Sequence, residues 1–142
     1  MIMFGFNEDS ATLINEVFED KKTKYYVTHL TDIDWQQQSI GLKYLKTLGS
    51  KTVDENKVLI FVNYGIYDRK EYIGPKAFKR IEDKENYFTF EEGKSILIKG
   101  IHDIKINTVQ EFKELQDKFD DYVKVTSITK CDLTKHFELG CE

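Results

Sequence analysis

Only one long stretch of this chain carries a helical spacing of apolar residues, so most of its core must be built from short β-type runs. Val109, Phe112, Leu115 and Phe119 recur at three- and four-residue steps, with Glu111, Lys113, Glu114, Asp117 and Lys118 between them. Thr108 precedes the stripe and Glu111 follows three residues later, a T-x-x-E capping box that predicts a helix over residues 108–119. A second, shorter helix is expected from Gly74-Pro75-Lys76-Ala77-Phe78-Lys79-Arg80-Ile81. Pro75 falls in its first turn, where the missing N–H costs nothing, and Phe78 and Ile81 would face a sheet.

Elsewhere the periodicity is two. Residues 11–18 and 24–30 predict a pair of strands across the charged turn Glu19-Asp20-Lys21-Lys22-Thr23. Ile33 and Trp35 alternate with Asp32, Asp34 and Gln36, which predicts a third strand directly afterwards, and Val58-Leu59-Ile60-Phe61-Val62 reads as a strand apolar on both faces. Tyr87-Phe88-Thr89-Phe90 and Ser95-Ile96-Leu97-Ile98, joined by Glu91-Glu92-Gly93-Lys94, have the form of an antiparallel hairpin. Two strands close the chain: residues 122–129, then a run in which Leu133, Lys135, Phe137 and Leu139 alternate with Thr134, His136 and Glu138. Ten Phe, eight Tyr and one Trp in 142 residues suit pleated, half-buried surfaces. The expected fold is mainly β: one domain over residues 1–142, a small barrel or sandwich of about seven antiparallel strands with the 108–119 helix packed on it.

Residues 36–57 break the pattern. Gln36-Gln37-Gln38-Ser39, Gly41, Gly49-Ser50 and Asp54-Glu55-Asn56 are turn-rich, and the stretch reads as a long irregular loop or extended hairpin that projects from the domain. It carries Lys43, Lys46 and Lys51 around Tyr44, a grouping able to meet phosphates without sequence preference. The chain as a whole is acidic, with a net charge of −4 and both signs well mixed, which argues against a dedicated nucleic-acid or membrane-surface binder. Its longest apolar run, residues 58–62, is far short of the roughly 20 residues of a membrane-spanning helix. Residues 1–6 meet Asn7-Glu8-Asp9 too soon for a signal-peptide core. Cys131 and Cys141 are expected as reduced thiols of a cytosolic protein, although adjacent strands would let them pair.

Catalytic constellations are not evident. His29, His102 and His136 are scattered, with no metal-ligand spacing to another His or Cys. Cys131 and His136, five residues apart across an expected turn, could imitate a Cys–His pair, but nothing nearby supplies an oxyanion hole. Asp32 and Asp34 share a strand face, and Asp120 and Asp121 end the helix; solvated acids account for both pairs. No phosphate loop, dinucleotide fingerprint or H-E-x-x-H pattern occurs. The expectation is a protein that is not an enzyme and needs no cofactor or metal.

The run Gly74-Pro75-Lys76-Ala77-Phe78-Lys79-Arg80-Ile81-Glu82-Asp83-Lys84 leads into Asn86-Tyr87-Phe88-Thr89-Phe90-Glu91-Glu92-Gly93. Ile98-Lys99-Gly100, Asp121-Tyr122-Val123-Lys124-Val125-Thr126-Ser127-Ile128 and His136-Phe137-Glu138-Leu139-Gly140 follow. Together they resemble a family of small minor structural proteins encoded by tailed phages and prophages of low-GC Gram-positive bacteria. Thr28-His29-Leu30-Thr31-Asp32-Ile33-Asp34-Trp35 resembles the family more loosely. The chain departs from that pattern at Gly74, where serine is expected, at Ala77, where glutamate is common, and at Phe137, where tryptophan is common. The resemblance implies a virion protein of the head–tail neck, a head-completion or stopper ring of six copies that closes the DNA channel. Its partners would be further copies of itself, the connector ring, the tail-terminator proteins and, without sequence preference, the genome DNA. A tail-terminator or tail-completion ring is the nearest alternative, and a soluble binding module such as an inhibitor of host defence is the next. On this reading Trp35, Tyr44, Tyr64 and Tyr67 are candidate interface residues, and Lys43, Lys46 and Lys51 a candidate lumen- or DNA-facing loop.

Overall fold

A computed structural model describes residues 8–37 and 58–142. In chain order the elements are β1 (Asp9–Glu19), β2 (Lys22–Gln37), β3 (Val58–Asn63), β4 (Glu71–Tyr72), α1 (Pro75–Arg80), a 3-10 turn (Lys84–Asn86), β5 (Tyr87–Phe88), β6 (Ile96–Lys99), α2 (Val109–Lys118), β7 (Tyr122–Cys131) and β8 (His136–Cys141). Six strands close an antiparallel barrel in the order β1-β2-β3-β8-β7-β6, and β4 and β5 form a separate parallel pair. The mainly β expectation holds, as a barrel with one amphipathic helix on its wall.

The first two strands turn at Asp20 and Lys21, both at positive φ (51° and 63°), the backbone of a two-residue hairpin loop whose twist matches its strands. β2 is one strand of 16 residues, where the sequence suggested two. The reason is Asp32, at φ 54°, which sits where the β1–β2 register shifts between Asp9 and Ala11. The extra residue changes the phase of the pleat: Thr28 and Leu30 are buried before it, Ile33 and Trp35 after it. Asp32 therefore occupies a bulge and does not share a regular strand face with Asp34.

Beyond this bend β2 leaves β1 and pairs with β3, from Asp34↔Phe61 to Gln37↔Val58. Gln36 and Gln37 thus belong to β2, and the rest of the expected projecting loop, with Tyr44, Lys43, Lys46 and Lys51, lies outside the described residues. β3 is apolar on both faces, as expected, but only Val58, Ile60 and Val62 are buried, while Leu59 and Phe61 on the other face are half-buried.

The earlier part of β2 has an edge that β3 does not cover. A tight hairpin with Asp68 and Arg69 at positive φ (54° and 62°) lies there instead. The Lys70 ammonium donates to the Val27 carbonyl at 2.6 Å, and the Asp68 carboxylate accepts from the His29 backbone N–H at 2.5 Å. Side chains thereby stand in for the missing strand at a sheet edge. Burial holds the Lys70 pKa below its ordinary value.

The largest departure from expectation is at residues 86–98, which are not a hairpin. β5 pairs in parallel with β4, while β6 pairs with β1 and β7. A turn does form, with the Ser95 N–H donating to the Glu91 carbonyl at 3.0 Å. The next bonds go to β7: Gly93 N–H to the Val125 carbonyl at 2.8 Å, and Val125 N–H to the Ser95 carbonyl at 2.9 Å. Phe88 and Phe90 are needed inside, against Tyr67, Tyr72 and Phe137, with ring centroids 5.1–5.9 Å apart. The crossover between β3 and β6 is thus an aromatic plug of the barrel end.

Outside the wall, Ile14, Ile96 and Ile98 face Leu115, with Phe112, Phe119, Ile104 and Ile106 around them. The expected cap forms, with Glu111 N–H donating to Thr108 Oγ1 at 3.1 Å, while the return bond of the box falls one residue early, Glu111 Oε1 accepting from the Asn107 N–H at 3.3 Å. Val109, assigned to the apolar stripe, is instead exposed at the first turn. Leu133 is also exposed, because residues 132–135 form the β7–β8 loop and not the start of a strand.

One ion-pair network ties the plug to the first hairpin. Lys84 is 2% exposed; its ammonium donates to the Ile81 carbonyl at 2.6 Å and lies 3.0 Å from Glu19 Oε2. Lys24 at 3.3 Å and the Tyr26 hydroxyl at 2.8 Å complete the shell around that carboxylate. The Lys84 hydrogen bond above all, then Tyr26, pulls the Glu19 pKa from 4.5 down to about 2. A depressed carboxyl pKa stabilises above the unfolded value, and this contribution is lost as the pH falls from about 4.5 toward about 2. The carboxylate is 25% exposed, so screening reduces the gain to ~1–2 kcal/mol. Urea titrations of wild type and Glu19→Gln at pH 6, 4 and 3 should show the stability gap narrowing with acid; a gap independent of pH would refute this assignment.

Candidate functional site at the β7–β8 rim

Antiparallel pairing places Cys131 directly opposite His136. With a side-chain period of two, Glu138 shares the outward face of β8 with His136, while Phe137, Leu139 and Cys141 point into the barrel. Three side chains of metal-ligating type converge on one patch, and their ligand atoms all lie within 4.8 Å of one another. Cys131 Sγ donates to Glu138 Oε2 at 3.3 Å, and His136 Nε2 stands 3.8 Å from Glu138 Oε1. His136 Nδ1 is 2.6 Å from the Thr134 hydroxyl. His136 is 3% exposed, whereas the Glu138 side chain is 40% exposed, so the patch opens toward solvent on the carboxylate side. Burial first, then the Glu138 hydrogen bond and charge, raise the Cys131 pKa above its ordinary value. That is the opposite of an activated nucleophile, which needs a cationic or electropositive setting.

Sequence spacing put Cys131 and His136 across a turn, and the structure brings them face to face. What the spacing alone missed was Glu138. The signal for it was the alternation His136-Phe137-Glu138, which puts both polar groups on one strand face once the hairpin is known. Cys141 lies at the other end of β8, pairs with Val125 and faces inward, fully buried. The two cysteines are therefore on adjacent strands but at opposite ends and on opposite faces, and no disulfide joins them.

On the opposite face of the β7–β8 hairpin is a shallow cavity of about 320 Å³ lined by Tyr64, Gly65, Tyr72, Lys130, Asp132 and Phe137. The Tyr64 hydroxyl donates to Asp132 Oδ1 at 2.7 Å, and the Tyr64 N–H donates to the Lys135 carbonyl at 2.8 Å, locking the chain after β3 to the β7–β8 loop. Desolvation and then Asp132 push the Tyr64 pKa up to about 12, so the hydroxyl stays a donor at any physiological pH. Lys130 Nζ sits 5.2 Å over the Tyr72 ring. Two large apolar side chains stand free at this rim, Ile66 (66% exposed) and Leu133 (95% exposed).

Of the expected interface residues, Tyr64 is on this rim. Trp35 (7% exposed) and Tyr67 (9% exposed) are core residues, Tyr67 donating its hydroxyl to the Asn63 carbonyl at 2.7 Å. Their large apolar area is spent on filling the barrel core, Trp35 from the stretch of β2 that pairs with β3. His29 and His102 serve structural contacts: His29 Nε2 is 2.8 Å from the His102 carbonyl, and His102 Nε2 is 2.9 Å from the Lys99 carbonyl.

No curated protein and no solved structure matches the chain. A protein-family model matches residues 6–142, covering all of the barrel, the plug and α2. The chain belongs to that family, a family of unknown function (DUF6751).

Proposed function

We propose that this protein is a non-enzymatic structural subunit of a tailed-phage particle, a head-completion or stopper-type ring component of the head–tail junction. The observation that carries the reading is where the stretches resembling phage neck proteins fall. Residues 74–93 build α1 and the aromatic plug, residues 98–100 end β6, and residues 121–128 and 136–140 supply β7 and β8. The resemblance thus follows the frame of the barrel, which suits a rigid unit repeated by rotation.

The rim around Tyr64, Phe137, Ile66 and Leu133 is the surface on which a neighbour in the particle would dock. It combines exposed aliphatic side chains with an aromatic-lined hollow and a polar border of Lys130 and Asp132. Interfaces gain most from such anchors at their centre, typically ~2–4 kcal/mol for a dominant residue. Leu133→Asp should leave folding within ~0.5 kcal/mol of wild type, because the side chain packs on nothing in the monomer. The same change in the phage gene should cut the yield of joined, infectious particles by at least about 100-fold. Imaging of intact particles decides the wider proposal: density for this chain away from the neck, or wild-type yield from Leu133→Asp, would count against it.

A further inference from the structure

We propose that Cys131, His136 and Glu138 form a binding site for one zinc-class divalent cation, a thiolate–imidazole–carboxylate triad on the outer face of the β7–β8 hairpin. The inference is independent of the neck assignment and rests on three features of the patch. The donor set is one that zinc accepts, and three protein ligands with one open position is a common arrangement for it. The spacings fit: tetrahedral bonds of ~2.0–2.3 Å place ligand atoms ~3.3–3.6 Å apart. Here Sγ and Oε2 are already 3.3 Å apart and Nε2 and Oε1 3.8 Å, with the whole set inside 4.8 Å. The imidazole is also oriented as a ligand would be. Nδ1 lies against the Thr134 hydroxyl at 2.6 Å, which directs Nε2 toward Cys131 and Glu138, the outer-shell contact that metal-bound histidines usually have.

The charge balance follows from the chemistry. Binding converts the Cys131 thiol to a thiolate, the S–H bond giving way to an S–metal bond and one proton leaving to solvent. The Glu138 carboxylate, which accepts from that thiol in the metal-free state, turns to the cation, and thiolate plus carboxylate neutralise its two charges. Thiolate and imidazole select zinc, cobalt or copper over magnesium and calcium, which prefer oxygen ligands. The fourth position faces the exposed side of Glu138 and is open to water.

Cobalt(II) serves as the probe, because a cobalt–thiolate bond gives a charge-transfer band in the near ultraviolet. The full chain, held reduced with a thiol-free reductant, should develop this band to saturation at one equivalent of cobalt and lose it when zinc is added. Cys131→Ser should abolish the band, and Cys141→Ser should retain it, since that thiol is buried inside the barrel. Glu138→Gln, at a half-exposed position, should weaken binding at least about 10-fold without unfolding the protein. Zinc should also raise the melting temperature of wild type and of Cys141→Ser but not of Cys131→Ser, reversibly with chelator. Absence of the band in folded wild type at tens of micromolar protein overturns the site, as does its persistence in Cys131→Ser.

Discussion

Asn15→Leu should destabilise the protein by ~3 kcal/mol and lower its melting temperature by roughly 10 °C, although the substitution makes the interior more apolar. Asn15 is 3% exposed on β1, and its side chain acts as a length of backbone. Nδ2 donates to the Thr89 carbonyl at 2.9 Å and to Ser95 Oγ at 3.3 Å, while Oδ1 accepts from the Thr89 N–H at 3.3 Å. The plug strand passes β1 at a point where no regular ladder satisfies Thr89, and one amide side chain fills both of its backbone valences. Leucine has the same branching, is somewhat larger and carries no polar atoms, so it would strand a buried N–H and a buried C=O at ~1–3 kcal/mol each. Denaturant titration should show the midpoint falling with an unchanged slope, and amide exchange should show the Thr89 N–H losing protection. A loss below about 0.5 kcal/mol would mean that Thr89 finds other partners and that Asn15 does not hold the plug.

This asparagine also marks the limit of what the chain's pattern discloses. Alternation in Ala11-Thr12-Leu13-Ile14-Asn15 announces a strand, and the strand is there. Nothing in the alternation says that both faces are covered, one by the barrel interior and one by α2, which is why Thr12, Ile14 and Asn15 are all buried together. α2 itself was legible because its capping box and stripe are local, set by neighbours three and four residues away. The hairpin expected over residues 86–98 failed for the converse reason. A turn at Gly93, with φ 76°, is compatible with two strands that pair with each other and equally with two that pair elsewhere. Which occurs depends on Phe88 and Phe90 reaching the interior against Phe137, a contact across about 50 residues of chain.

The rim was legible only in part, for the same physical reason. Sequence offered Cys131 with His136, discounted the pair as catalytic and could not place the two on one face, because a one-residue change in hairpin register would have sent the side chains to opposite faces. The observed four-residue loop, with Lys135 at φ 56°, sets the register that aligns Cys131 with His136 and brings Glu138 beside them. Trp35 and Tyr67 were weighed as interface residues on residue type alone. Aromatic rings are equally suited to a core, and the interior of a closed barrel needs large side chains to fill it.

That need gives the second large effect. Phe90→Ala should cost ~3–5 kcal/mol, the range for removing a buried ring. Phe90 is fully buried, and its ring meets Tyr72, Phe88 and Phe137 at 5.9, 5.7 and 5.1 Å between centroids. None of these neighbours can collapse into the vacated space cheaply, since Tyr72 is held by β4–β5 pairing and Phe137 by the β3–β8–β7 ladder. The cavity therefore persists and adds its own cost to the lost transfer energy. Phe90→Leu, which keeps most of the volume, should lose much less, and Phe18→Ala, at a side chain 74% exposed, should stay within ~0.5 kcal/mol. The comparison also reads out coupling to the rim, because Tyr72 and Phe137 line its hollow from one side while Phe90 backs them from the other. If the plug supports the rim, Phe90→Leu should loosen the Tyr64–Phe137 contact, now 4.7 Å between centroids, and speed Tyr64 ring flips seen by NMR. Unchanged ring dynamics in that variant would show that the β3–β8–β7 ladder alone holds the rim in place.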